Sequence, residues 1–239
     1  MTSGYQTRRA FLAASAATAG LALFPTAARA ALAGPPRERG APWGEARAAS
    51  PGGTPPVILV VGDSISAAWG LPPGTGWTHL LQQRLAERGH AHRVVNASIS
   101  GDTTAGGRSR LPALLVRHKP AIVVIELGGN DGLRGGSLAA TRENLVAMTA
   151  ATKSAGAKPV LVGMKLPPNY GPAYTREFDA IFADVAKAQG AALVPFFFAG
   201  FGEDRSEFQP DGIHPAEVAQ PKLLDNVWPA LERLLPRKR

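Results

Sequence analysis

Ser64 closes an apolar run in Val-Val-Gly-Asp-Ser-Ile-Ser, two residues after Gly62. A serine hydroxyl is a weak nucleophile at neutral pH, so acyl chemistry on it needs a base within hydrogen-bond reach and a third group to orient that base. Five histidines are present. His79, His90, His92 and His118 fall in or beside helical stretches among Gln, Arg, Lys and Glu, where an exposed or locally satisfied imidazole is expected. His214 alone sits in a polar loop beyond a strand, with Asp211 three residues before it and Gly212 between them to permit a sharp turn. One loop can thus present base and orienting carboxylate together. Pro215 disfavours helical geometry at His214 and suits the first position of a helix. That predicts His214 as an N-cap, where the positive helix end would help keep the imidazole neutral.

Acyl transfer also needs hydrogen-bond donors where the carbonyl oxygen becomes negative. Gly101, in Ser-Ile-Ser-Gly-Asp, can bring its N–H against a substrate without a side chain in the way, and Asn130, in Gly-Gly-Asn-Asp, can aim an amide. The N–H of Ser64 is the third candidate. Taken singly, each block is also ordinary turn chemistry, since Gly, Asn, Asp and Ser are the residues of turns. Asp63 is expected to stabilise the turn rather than to catalyse, because Asp211 already serves His214, and Glu126 is expected to hydrogen-bond loop backbone.

The elements that must position these blocks alternate. Short β-branched runs over 57–61, 93–97, 121–127, 159–164 and 192–195 are separated by helical patterns over 77–88, 109–118, 138–155 and 174–189, with a last helix after Pro215. Continuous apolar strands between helices imply an α/β fold with a parallel sheet covered on both faces. Right-handed crossovers then place sites beyond the carboxyl ends of the strands, where all four polar blocks lie. In the last helix Leu223, Leu224, Val227, Leu231 and Leu235 recur at helical spacing and predict core, whereas Pro229 should kink or shorten it.

The first thirty residues carry Arg8, Arg9 and Arg29, no acid, and an apolar stretch over 10–24 ending near Ala28-Arg29-Ala30. This reads as an export signal of the twin-arginine type, implying the corresponding export machinery as partner and a periplasmic or secreted location. Residues 31–56, rich in Pro, Gly and Ala, read as a flexible linker, and the folded domain as 57–239. Hydrophobic residues at 45% and charged residues at 18% suit one globular domain. The absence of cysteine excludes thiol catalysis, disulfides and thiolate metal sites. Of the net charge of +8, the 23 basic and 18 acidic residues after position 30 leave +5. That surplus suits weak, transient contact with anionic lipid, but no nucleic-acid signature accompanies it, and no Gly-x-x-x-x-Gly-Lys-[Ser/Thr] loop follows a strand.

Taken together, Gly62-Asp63-Ser64, Gly101, Asn130 and Asp211-Gly-Ile-His214 resemble, in order, the four blocks of the GDSL or SGNH hydrolase family. Leu-Gly-Gly-Asn-Asp-Gly-Leu-Arg-Gly over 127–135, Leu-Pro-Pro-Asn-Tyr-Gly over 166–171 and Gln-Pro-Asp-Gly-Ile-His-Pro over 209–215 are similar to its exported bacterial thioesterases, lysophospholipases and arylesterases. The resemblance implies a flavodoxin-like three-layer α/β/α sandwich with five parallel strands. It implies Ser64 as nucleophile, His214 as general base and acid, Asp211 as its orienting group, and an oxyanion hole of Ser64, Gly101 and Asn130. It implies no metal or organic cofactor, and substrate contacts at Gly132, Leu133, Arg134, Pro168, Asn169 and Tyr170. Ile65 replaces the Leu of the name-giving motif, and 196–208 departs most from the family pattern while forming one wall near the catalytic loop. The expectation is a monomeric serine esterase acting on a small-molecule or lipid acyl ester, with thioester cleavage open to the same machinery. A carbohydrate O-acetylesterase and a non-catalytic lipid or solute binder are the alternatives.

Overall fold

The computed structural model describes residues 53–236. The expected export signal, most of the expected linker and the final three residues lie outside the described residues.

Five parallel strands, β1 (Val57–Gly62), β2 (Arg93–Asn96), β3 (Ile122–Glu126), β4 (Lys158–Val162) and β5 (Ala192–Val194), form one sheet in the order β2-β1-β3-β4-β5. Every residue of β1 and β3 is buried, and apart from Glu126 at the end of β3 none has a polar side chain, which is why both read as apolar runs. Helices α1 (Trp77–Glu87) and α6 (Gln220–Glu232) pack together on one side of the sheet. Helices α2 (Thr104–His118), α4 (Leu138–Ser154) and α5 (Pro172–Gln189) form a row on the other, and a short α3 (Gly129–Leu133) follows β3. The result is the three-layer sandwich expected, with the strand order reversing between β1 and β3, where ligands of such folds bind.

Differences from expectation are local. Helix α2 starts at Thr104 rather than 109, because the Thr103 hydroxyl accepts the Gly106 N–H as a cap and Gly107 lets the first turn lie against Leu127. Two glycines in that turn hide the helical period. Pro229 does not end α6, which runs on to Glu232, and the five predicted core residues of this segment are all buried. Pro215 opens no helix. It forms an antiparallel bridge with Phe208, a 3-10 turn follows at Glu217–Ala219, and α6 begins at Gln220. His214 is therefore not an N-cap; Ala216 and Ala219 cap the 3-10 turn and α6. His92 also departs from expectation: it is buried, and its Nδ1 has no hydrogen-bond partner among the described residues.

A buried polar seam joins β1 to β3 at their carboxyl ends. Glu126 lies opposite Gly62 in the ladder, and its Oε2 accepts the Ser66 hydroxyl at 2.7 Å and the Asp63 N–H at 3.4 Å. The Ser66 Oγ in turn accepts the Trp77 indole N–H at 3.1 Å. A Cβ on Gly62 would stand 2.6 Å from Glu126 Oε2 and 2.8 Å from Ser66 Cβ, so only glycine admits this approach. Burial, reinforced by the neighbouring Asp63 charge, holds the Glu126 carboxyl well above its ordinary value of 4.5, against the opposing hydrogen bonds from Ser66 and Asp63. The folded chain then holds this proton more tightly than the unfolded one, so the stability it contributes falls as pH rises through and above that ordinary value. The Tm of Glu126→Gln relative to the native chain is accordingly expected to rise by a few degrees between about pH 5 and pH 8 in calorimetry. A difference independent of pH would refute a neutral Glu126.

Candidate active site

Ser64 follows β1 in a tight turn, closed by Ala67 N–H on the Asp63 carbonyl at 2.9 Å and Trp69 N–H on the Ser64 carbonyl at 3.0 Å. The Asp63 side chain accepts the Ile65 N–H at 3.0 Å, the turn-stabilising role expected of it. Across 150 positions of sequence, His214 Nε2 lies 2.8 Å from Ser64 Oγ, and His214 Nδ1 lies 2.7 Å from Asp211 Oδ2. A carboxylate facing Nδ1 fixes the proton there, leaving Nε2 to accept from the serine hydroxyl.

The loop carrying His214 is built rather than slack. Gln209 N–H donates to the His214 carbonyl, Gly212 N–H to the Gln209 carbonyl and Ala216 N–H to the Glu207 carbonyl, while Gln209 Nε2 reaches the Trp69 carbonyl at 2.8 Å and so ties this loop to the serine turn. Asp211 Oδ1 accepts the N–H groups of Ile213 and His214 at 2.9 and 3.0 Å. Partial burial works to raise the Asp211 carboxyl, but the bonds from the His214 N–H, its imidazole and the Ile213 N–H prevail and bring it down to about 2. Asp211 is thus a carboxylate throughout the working range of such a site.

Ser64, Gly101 and Asn130, the three expected donor residues, line one cleft. Among the described residues, neither the Ser64 N–H nor the Gly101 N–H has an intramolecular acceptor, so both stand free to bind an incoming oxygen. Gly101 adopts φ +78°, which leaves its N–H unobstructed and which a side chain would strain. Asn130 is different from expectation. Its Nδ2 donates to Asp63 Oδ2 at 3.0 Å and to the Asp102 carbonyl at 2.9 Å, so both amide hydrogens already have acceptors. As an oxyanion donor it would exchange its bond to Asp63 for one to the developing alkoxide.

These groups open on a cleft of ≈ 820 Å³. Its walls are largely apolar: Ile65 from the serine turn, Met164 and Leu166 beyond β4, and Phe196, Phe198 and Phe208 from the segment after β5. Of the substrate contacts expected from the family, Leu133 and Pro168 line it; Gly132, Arg134, Asn169 and Tyr170 do not. Gly132 is buried where a Cβ would lie 2.7 Å from Phe178, Arg134 Nη2 bonds the Gly101 carbonyl at 3.0 Å, and the Tyr170 hydroxyl bonds the Leu133 carbonyl at 2.8 Å. Arg134 and Tyr170 therefore brace the wall from behind or beside it, and Asn169 lies exposed in a 3-10 turn. Trp69, Met164, Leu166 and Ile213 line the cleft without having been singled out from sequence, although the rule of strand ends would have found the two that follow β4. No group of three or more His, Asp or Glu side chains among the described residues is disposed to hold a metal ion.

Comparison with known proteins agrees with this geometry. Residues 60–220 match the model of the GDSL-like Lipase/Acylhydrolase family. Esterase TesA of Pseudomonas aeruginosa is 58% identical over 179 residues, covering 75% of this chain and 89% of that one. Thioesterase 1/protease 1/lysophospholipase L1 of Escherichia coli is 41% identical over 179 residues, covering 75% and 85%. A crystal structure of TesA, 58% identical, superposes with a TM-score of 0.73 over 75% of this chain and 99% of that one. The chain therefore belongs to the GDSL-like lipase/acylhydrolase family.

Proposed function

We propose that this ester hydrolase cleaves carboxylic esters of apolar acids, including lipid and aryl esters, through an acyl-enzyme on Ser64. The observation that carries the reading is the continuous relay Asp211–His214–Ser64, at 2.7 and 2.8 Å, opening on an apolar cleft. As Ser64 Oγ bonds the acyl carbon, its proton passes to His214 Nε2 and the carbonyl electron pair moves onto oxygen. That oxygen is met by the N–H groups of Ser64 and Gly101 and by Asn130. Asp211 stabilises the imidazolium without taking its proton. Collapse expels the alkoxide, which takes the proton from Nε2 and leaves as alcohol. Water then gives a proton to Nε2 as it attacks the acyl carbon, and the acid departs while Oγ recovers the proton. A thioester presents the same acyl carbon and is open to the same steps.

The size and apolar walls of the cleft favour a medium or long acyl chain over acetate. Of the five large hydrophobic side chains that stand exposed among the described residues, Trp69 and Ile213 line the cleft, and Ile99 immediately precedes Ser100 and Gly101, which also line it. That concentration at the mouth supports transient contact with a lipid surface. The paired arginines and apolar stretch before residue 31 support export to the periplasm or beyond.

Incubation with a fluorophosphonate probe followed by mass spectrometry is expected to label Ser64, and Ser64→Ala to lose both label and nearly all turnover. A carrier without chemistry would retain function in that variant. Across nitrophenyl esters of increasing length, kcat/KM is expected to rise beyond acetate; sharp preference for acetate would favour a carbohydrate O-acetylesterase. Asn130→Ala is expected to lower kcat by about a hundredfold, the lower end for one oxyanion donor because its amide gives up an anionic partner to act. A change under about threefold would remove it from the site.

A further inference from the structure

Arg110 does not line the cleft, yet its guanidinium ties the ends of β1 and β2, beside the Ser64 and Gly101 donors, to Asp102, whose carbonyl holds the Asn130 amide. It projects from the second turn of α2, and its side chain is 19% exposed. Nε donates to Asp102 Oδ2 at 2.7 Å, Nη2 to the Gly62 carbonyl at 3.2 Å, and Nη1 to the Ala97 carbonyl. Gly62 ends β1 two residues before Ser64, Ala97 follows β2, and Asp102 adjoins Gly101. Asp102 in turn holds the Thr103 N–H with Oδ1 and the Asn130 amide with its own carbonyl.

We propose that Arg110 is a positioning residue for the oxyanion hole: one guanidinium fixes the ends of β1 and β2 and the Asp102 carboxylate, and through them the Ser64, Gly101 and Asn130 donors. This rests on the reading of Ser64 as nucleophile. The geometry suits arginine in particular, because its planar fork presents several donors in fixed directions, whereas a lysine ammonium is a point charge on a flexible stem. Donors to an oxyanion act within a few tenths of an ångström of their proper distance, and three donors from three loops keep that spacing only if the loops are tied to one another. Other ties also join these loops, among them the Ile99 N–H on the Gly62 carbonyl, the Asn96 amide on the Ser66 carbonyl, Ser66 and the Asp63 N–H on Glu126, Thr104 on the Asp131 carboxylate, the Asn130 amide itself and Arg134 on the Gly101 carbonyl. Arg110, however, joins three points through one rigid group.

The test is turnover per active site counted by fluorophosphonate labelling, together with affinity for a trifluoromethyl ketone that adds the serine to form a tetrahedral oxyanion. Arg110→Met is expected to lower kcat per labelled site by about tenfold to a hundredfold with little change in KM, and to weaken the ketone by the same factor as kcat/KM. Arg110→Lys should recover only part of the loss. Combined with Asn130→Ala, the loss should be smaller than the product of the two single losses, because both act through one set of donors. If Arg110→Met does not fold, Asp102→Asn, which keeps the shape but removes the charge held by the guanidinium, is expected to weaken the ketone in the same sense. A merely structural arginine would lower Tm and the number of labelled sites while leaving kcat per site within twofold of the native chain. That result, or losses that multiply, or ketone affinity unchanged in the folded variants, would overturn the proposal. Failure of the native chain to take up the probe would instead overturn the reading of Ser64.

Discussion

The parallel pairing of β1 with β3, in register from Ile58 opposite Ile122 to Gly62 opposite Glu126, is the constraint on which the site depends. It sets the strand that delivers Ser64 beside the strand that delivers Asn130, at the point where the connections of the sheet diverge to its two sides. Both strands are buried over their whole length, so a slip of register would expose apolar side chains or bury new polar ones, and the two loops are held as firmly as the core itself. Glu126, Ser66 and Trp77 complete the pairing where the ladder ends and loop begins.

Two carboxyl groups close to His214 are driven in opposite directions. Burial lifts Asp63 to about 6, against the Ile65 N–H bond, the nearby His214 and the Asn130 amide, while Asp102 adds to the rise. Asp211, at the rim with 40% of its side chain exposed, is lowered to about 2 by donors that its own loop aims at it. The contrast separates their work: Asp211 remains the anion that an imidazolium requires, and Asp63 weakens its hold on the Asn130 amide as its charge is lost.

Much of this was legible in the residues, because strand-end placement follows from apolar runs and crossover handedness alone. The blocks around Ser64, Gly101, Asn130 and His214 converge for that reason. What local pattern could not reveal depended on long-range contacts. Pro215 pairs with Phe208 instead of opening a helix, a choice made by the bridge and not by proline's own preference. The Asn130 amide is shared between Asp63 and Asp102, which lie 67 and 28 positions away in sequence. Gly132 and Tyr170, drawn in by family strings, serve packing and bracing of the wall rather than the cleft surface, and the side chains of a motif do not announce which way they face. Arg110 drew no attention because an arginine on an amphipathic helix reads as a solvated face.

The placement of His214 and Asp211 three residues apart on one loop, opposite a serine anchored to the sheet, divides the proton relay unequally. Imidazole and carboxylate travel as a single body, so a displacement of that loop, which would also break the Gln209 bond to the Trp69 carbonyl, alters within the relay only the separation between Oγ and Nε2. The relay has a single adjustable joint, and a molecule caught with that joint open would still carry a base held in orientation by its carboxylate.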